Sequence, residues 1–227
     1  MSGQAGLRRM SAISNRKSQI DNRESKKLPR SFYLRPTLQV ARDLIGKNIV
    51  RISSGRKLIG RIVETEAYRE DDPASHAFRG RTNRNDVMFW KGGHLYVYFT
   101  YGMHFCANVV TREAEVGEAV LIRALEPLEG IDEMIRNRFR KSGRYIFREP
   151  AALHTPSNLT NGPAKLCQAL EIQRGLNGAD LLDGEIYLLD APRVPASRVG
   201  RSTRIGIVNG KEKKWRFFVK GSRWISK

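Results

Sequence analysis

Cysteine is scarce in this chain, with two in 227 residues, Cys106 and Cys167. They are far apart and in no Cys-x-x-Cys pair, so they cannot supply the four thiolates of an iron–sulfur cluster or a structural zinc site. Both sit among apolar residues and read as buried free thiols. Histidine is also sparse: His76, His94, His104 and His154 do not have the His-x-x-x-His spacing of a helical zinc site. No metal and no cofactor is expected. No apolar run approaches the roughly 18 residues of a membrane span. The N-terminus lacks the charged-then-apolar pattern of a secretory signal, so neither a membrane nor a secreted location is expected. Internal repeats are missing, as is any Pro/Ser-rich linker after residue 30.

Positive charge is what the chain does have. The formal net charge is +18 and the pI about 10.4. Residues 1–30 hold eight Lys and Arg against Asp21 and Glu24. They are polar and without apolar periodicity, which predicts a mobile basic arm. Most of the excess charge lies beyond the arm, in the part long enough to bury one core. A basic surface on a folded domain points to a polyanion, nucleic acid first, through phosphate neutralisation.

Residues 31–227 read as a single α+β domain with a curved, largely antiparallel sheet, flanking helices and a protruding β-hairpin. From Pro36 a helical stripe runs through Leu38, Ala41, Leu44 and Ile45, and Gly46 suits its C′ position. Strands are expected over 48–53 and 57–68 around a hairpin turn at 53–56, then over 94–100 and 105–110 around Tyr101-Gly102-Met103-His104. A further strand over 119–125 should lead through Glu126-Pro127 into a helix carrying Leu128, Ile131, Met134 and Ile135. Residues 140–160 read as irregular and basic, and Asn161-Gly162-Pro163 should open a helix through Leu166, Cys167 and Leu170. The C-terminal part is strand-rich: 186–189, 204–208 and 215–219. Residues 69–93 are polar and too long for an idle connection, so they form a candidate functional loop.

Two carboxylates, Glu64 and Glu66, stand two positions apart on a mostly apolar strand. A regular strand would project both from one face about 7 Å apart. Such a pair could serve a glycosidase as acid and base, or could simply face solvent or arginines. Tyr96, Tyr98 and Tyr101 alternate with aliphatic residues, Tyr96 reading as core with its hydroxyl at the rim. Tyr101, at the tip of an apolar hairpin, could wedge into a base step.

Six segments then occur in order: Val63-Glu-Thr-Glu-Ala-Tyr68, Asp72-Pro-Ala-Ser-His76, Arg84-Asn-Asp-Val-Met-Phe89, Leu95-Tyr-Val-Tyr-Phe-Thr-Tyr-Gly-Met103, Val120-Leu-Ile-Arg-Ala-Leu-Glu-Pro127 and Gly162-Pro-Ala-Lys-Leu-Cys167. Together they resemble the alkyladenine (3-methyladenine, methylpurine) DNA glycosylase family, from about Phe32 to Trp224. The resemblance implies a monofunctional glycosylase of base excision repair. Its partner would be duplex DNA containing damaged purines, and it would act as a monomer in a bacterial cytoplasm or a eukaryotic nucleus. Glu66 matches the general base that deprotonates a water for attack on C1′, and Arg123 a residue beside that water. Tyr68 and Tyr98 match stacking walls of the base pocket, His76 a hydrogen-bonding residue in it, and Asn108 the residue that disfavours the guanine 2-amino group. Tyr101 matches the wedge that replaces the extruded nucleotide, with Met103, Arg84 and Lys165 as further DNA contacts. Glu64 is left a structural role, paired with a buried arginine.

Chemistry agrees with this assignment. A damaged base must leave the stack before C1′ can be reached, and tyrosine rings favour a cationic alkylated purine. The sequence departs from the family at Arg69-Glu70-Asp71 and at Thr82-Asn83-Arg84, both in the loop beside the pocket, which bears on loop rigidity and substrate range. For Tyr98 and Asn108 to share a pocket, their hairpin needs an odd-length loop or a bulge, because a two-residue turn would put them on opposite faces. Two other classes compete: a catalytically silent nucleic-acid-binding module, and a glycosidase acting on free nucleosides or sugars through Glu64 and Glu66.

Overall fold

A computed structural model of the chain describes residues 26–100, 102–139 and 156–226. Most of the basic arm, the segment 140–155 and Tyr101 therefore lie outside the described residues. The last residues assigned to the arm are part of the fold: Lys27 bridges to Leu189 and Leu28 is buried.

Two short helices come first, α1 (Arg30–Tyr33) and α2 (Thr37–Asp43), with Pro36 as the N-cap of the second. Gly46 takes the left-handed backbone expected of a helix-ending glycine (φ +91°), one residue beyond the C′ position. Its N–H donates to Ile62 O at 2.8 Å. Strands β1 (Asn48–Ser53) and β2 (Arg56–Tyr68) follow. Ser53 pairs with Arg56, and Ser54 and Gly55 both have positive φ, as the tight hairpin turn predicted here requires.

β2 is the spine. One edge pairs with β5 (Ala119–Glu129). The other is shared by β1, over Arg56–Arg61, and β8 (Arg216–Val219), over Glu64–Glu66. Register shifts at Ile59/Gly60, Ile62/Glu64 and Glu64/Thr65 mark irregularities that let one strand turn between two partners. β3 (Leu95–Thr100) and β4 (His104–Val110) extend the sheet beyond β5, and β6 (Ile186–Leu189) flanks β1. β7 (Val199–Ser202) pairs with β8. Every strand pairing among the described residues is antiparallel. The expected α+β architecture is what forms: among the described residues, one curled, eight-stranded sheet with four helices.

Helix α2 covers one face, where Thr65 Oγ1 donates to Ala41 O at 2.8 Å. Helices α3 (Ile131–Phe139) and α4 (Pro163–Ala169) complete the core with Met134, Ile135, Leu166 and Leu170. A smaller cluster of Ala77, Val87, Met88, Phe89, Tyr96, Val110 and Ala119 ties the 69–93 loop to the sheet. Both cysteines are buried free thiols. Among the described residues no helix is long and apolar enough to cross a membrane.

Two sequence expectations are corrected. Glu126, Pro127 and Leu128 are strand, not a turn and helix start: Pro127 sits opposite Gly60 at a register shift, where a missing N–H is tolerated, and α3 begins only after Gly130. The expected strand at 204–208 does not form; the strand preceding β8 is 199–202. Arg204 is drawn inward by Asp72 and the Ile205 N–H is taken by a side chain, so neither joins a ladder, and Gly206 (φ +75°) breaks the run.

Candidate active site

The β3–β4 register pairs Tyr96 with Asn108, Tyr98 with Cys106 and Thr100 with His104. Three residues separate the last pair, the odd-length loop that the pocket required. Side chains at 96, 98, 106 and 108 therefore share a face. Ala119, Leu121 and Arg123 of β5 join them, with Tyr68 opposite Ala119 and Glu66 opposite Leu121.

Against this face lies a cavity of about 460 Å³. Tyr68, His76, Arg84, Tyr98, Asn108 and Arg123 all border it. The His76 ring meets Tyr98 edge-on at 4.5 Å, and its Nδ1 is 3.0 Å from the Tyr96 hydroxyl. One edge of that ring is packed while the rest opens to the cavity. Burial of the packed edge, followed by the nearby charge of Arg84, holds the imidazole below its ordinary pKa, so it is neutral near pH 7. Burial pushes Tyr96 up to about 12 and raises Tyr98 further, with Cys106 adding to the latter. Asn108 Nδ2 donates to Tyr96 O at 3.1 Å, which fixes the direction of its amide.

Glu66 is fully enclosed (0% exposed) behind Tyr68, Arg123 and Ile205, which border the cavity. Three donors converge on its carboxylate: Tyr68 Oη at 2.9 Å and Arg123 Nη1 at 3.1 Å on Oε2, and the Ile205 N–H at 2.8 Å on Oε1. Burial, and then the Glu66 carboxylate, hold the Tyr68 phenol well above its usual range, so it keeps its proton and donates. Oε1 takes a single donor among the described residues, which leaves a lone pair for a proton from water.

Glu64 is engaged differently. Oε1 accepts from Arg123 Nε (3.2 Å), Arg216 Nε (2.6 Å) and Ser226 Oγ (2.7 Å), and Oε2 from the Ser226 N–H (2.5 Å). With four donors on its carboxylate, three of them on Oε1, and no exposure, Glu64 anchors Arg123, and its other partners, Arg216 and Ser226, do not border the cavity. That removes the paired acid and base on which the sugar-glycosidase reading depended. The arginine pairing foreseen for it is present twice over.

The remaining predicted residues lie nearer the rim. Met103 is 67% exposed at the hairpin tip, beside exposed Phe99. Lys165 lies on α4 two residues from Pro163, which borders the cavity, and bonds Asn161 Oδ1 at 2.8 Å. The departing loop segments are pinned. Arg69 pairs with Asp71 at 3.1 Å and Glu118 at 3.5 Å, Glu70 accepts from the Gly117 N–H, and the Thr82 N–H donates to Asn85 Oδ1 at 2.6 Å. Among the described residues no cluster of three or more His, Cys, Asp or Glu could hold a metal ion.

Sequence reasoning missed the segment 205–209, which forms one cavity wall, and the Ile205 N–H on Glu66. The one signal was Gly206, which makes Arg204-Ile-Gly-Ile-Val208 a poor strand.

Comparison with known proteins defines the class as a DNA glycosylase, a hydrolase of N-glycosyl bonds. More narrowly, residues 31–223 match the model of the methylpurine-DNA glycosylase family (MPG), and the chain belongs to that family. It is 50% identical over 201 residues to a protein of Carboxydothermus hydrogenoformans, covering 88% of this chain and 98% of that one. It is 48% identical over 202 residues to one of Chlorobium phaeovibrioides (88% and 96%) and 43% identical over 203 residues to one of Methanoculleus marisnigri (88% and 98%). All three are named as 3-methyladenine DNA glycosylases.

Proposed function

We propose that the chain acts as a monomer on duplex DNA, extrudes an alkylated or deaminated purine into the cavity and hydrolyses its N-glycosidic bond, leaving an abasic site. The substrates proposed are 3-methyladenine, 7-methylguanine, hypoxanthine and ethenoadenine. The observation that carries this reading is an enclosed carboxylate with one open lone pair, Glu66, set behind an aromatic-walled cavity. A water between Oε1 and C1′ gives its proton to Glu66 as its oxygen bonds C1′. The C1′–N bond breaks with its electron pair leaving on the base. A cationic alkylated purine departs neutral, whereas a neutral purine takes up a proton from solvent, balancing the one that water gave to Glu66. Negative charge near C1′ also stabilises the oxocarbenium-like transition state.

Among the described residues the cavity wall contains two arginines and no lysine, which supports hydrolysis without a Schiff base. Lesion duplexes incubated with the protein should release free base while the strand stays intact until alkali is added. Strand breaks that appear with base release would overturn the monofunctional reading. Affinity should fall steeply with salt, as phosphate contacts by a chain of charge +18 require, and a flat response would contradict them.

The wedge role of Tyr101 rests on its place between two strands whose tip bears exposed Phe99 and Met103. A side chain that fills the gap offsets part of an unstacking cost of a few kcal/mol. Tyr101→Ala should therefore weaken lesion-duplex binding and excision about tenfold or more with the melting temperature unchanged. Unaltered binding and excision would remove that role.

A further inference from the structure

One face of the Tyr68 ring carries a cation. The Arg204 guanidinium lies 4.7 Å from the Tyr68 ring centroid and 5.2 Å from that of Trp215, over both rings. Arg204 does not border the cavity, so the Tyr68 ring separates it from whatever stacks there. Its Nη1 donates to Ala67 O at 3.1 Å and to the Asp72 carboxylate, and its Nη2 to Gly210 O at 3.3 Å. Both charged side chains are fully buried. Lys213 Nζ reaches the other Asp72 oxygen at 3.4 Å. Burial alone would raise the Asp72 carboxyl, but the Arg204 hydrogen bond and charge outweigh it and keep Asp72 ionised.

This arrangement bears on which bases the pocket accepts. With a stacking separation of about 3.5 Å added to the 4.7 Å behind the ring, a base on the cavity face would lie roughly 8 Å from the guanidinium. In a partly buried setting two like charges at that separation repel appreciably. A bare guanidinium would also draw on the same ring π density that attracts a cationic base. Resting on the glycosylase reading above, we propose that the Asp72–Arg204 pair is a specificity-determining device. Arg204 sets the plane of Tyr68, and Asp72 offsets its charge so that the opposite ring face can accept a cationic purine.

The two halves of the pair can be removed separately, with opposite effects on charge. Asp72→Asn leaves Arg204 and Lys213 uncompensated; Arg204→Met leaves Asp72 with Lys213 alone. Glu66 and Arg123 are unchanged in both. Binding is measured to duplexes carrying 7-methylguanine (cationic) or ethenoadenine (neutral), each as a sugar-fluorinated nucleoside that resists release, and is normalised to undamaged duplex. Asp72→Asn should lower the cationic-to-neutral affinity ratio up to about tenfold, and Arg204→Met should raise it, whatever each does to affinity overall. A merely structural role would move both ratios in one direction or neither, and either result overturns the proposal. Should one variant not fold, the sign of the shift in the other decides. A wild-type protein that prefers neither lesion over undamaged duplex overturns the glycosylase reading, and this inference with it. Lesion preference with a ratio insensitive to both variants overturns this inference alone.

Discussion

Replacing Glu66 by Gln is expected to lower the single-turnover rate of base release by about 10²–10⁴-fold, the range for losing a positioned general base. Binding to lesion duplex should remain close to that of the unsubstituted protein. The amide has the same shape but cannot accept a proton from water. It also cannot accept from all three of the donors that now converge on the carboxylate, Tyr68 Oη, Arg123 Nη1 and the Ile205 N–H. One end of the amide must present its own N–H groups to a donor, a local cost of about 1–3 kcal/mol. The rate loss is the larger effect, because the chemical step needs a group that takes a proton and stabilises positive charge at C1′. Base release undiminished in Glu66→Gln would sink the mechanism.

Arg123→Met should give the largest combined loss of stability and activity. The guanidinium spans two carboxylates, bonding Glu64 Oε1 through Nε and Glu66 Oε2 through Nη1, and both acids are 0% exposed. Removing one partner from a buried ion pair costs about 3–5 kcal/mol, chiefly because a desolvated charge is left behind. Glu64 keeps Arg216 and Ser226, so the stranded charge is mainly that of Glu66. For a domain of this size the melting temperature should drop by roughly 10 °C, at about 2–4 °C per kcal/mol. Base release should fall at least about 10²-fold at a temperature where the variant is folded, since Glu66 would lose its orientation. Arg123→Lys retains the charge but not the two-pronged geometry. It should recover more of the stability than of the rate. A melting temperature unchanged in Arg123→Met would show that the ion pairs carry no net weight.

Much of this protein is legible along the chain because the relevant physics is local. The β1–β2 turn follows from Ser54 and Gly55, which accept the positive φ that a tight hairpin demands. The alternation from Leu95 to Val110 defines two strands. The demand that Tyr98 and Asn108 share a face then calls for an odd-length loop or a bulge, and a three-residue loop is what forms. Burial of both cysteines is readable from their apolar neighbours. Pro127 and Arg204 were misread for one reason: each conformation is settled by a partner distant in sequence. Gly60, on β2, accommodates Pro127 within a strand. Asp72 and Ala67 draw Arg204 out of one.

Glu64 and Glu66 show where the division lies. Alone, the sequence determined a basic domain with two carboxylates on one strand, and motif order pointed to the second as the base. Only the tertiary structure could separate their surroundings, since all three donors to Glu66 belong to residues that border the cavity, while Glu64 is held by Arg123, Arg216 and Ser226, the last two away from it. Those donors come from β5, β8 and the chain's last residues, up to 162 positions away. Strand alternation, a local property, set the face that both carboxylates occupy. The partners gathered from distant segments decided which of the two lies next to the cavity wall.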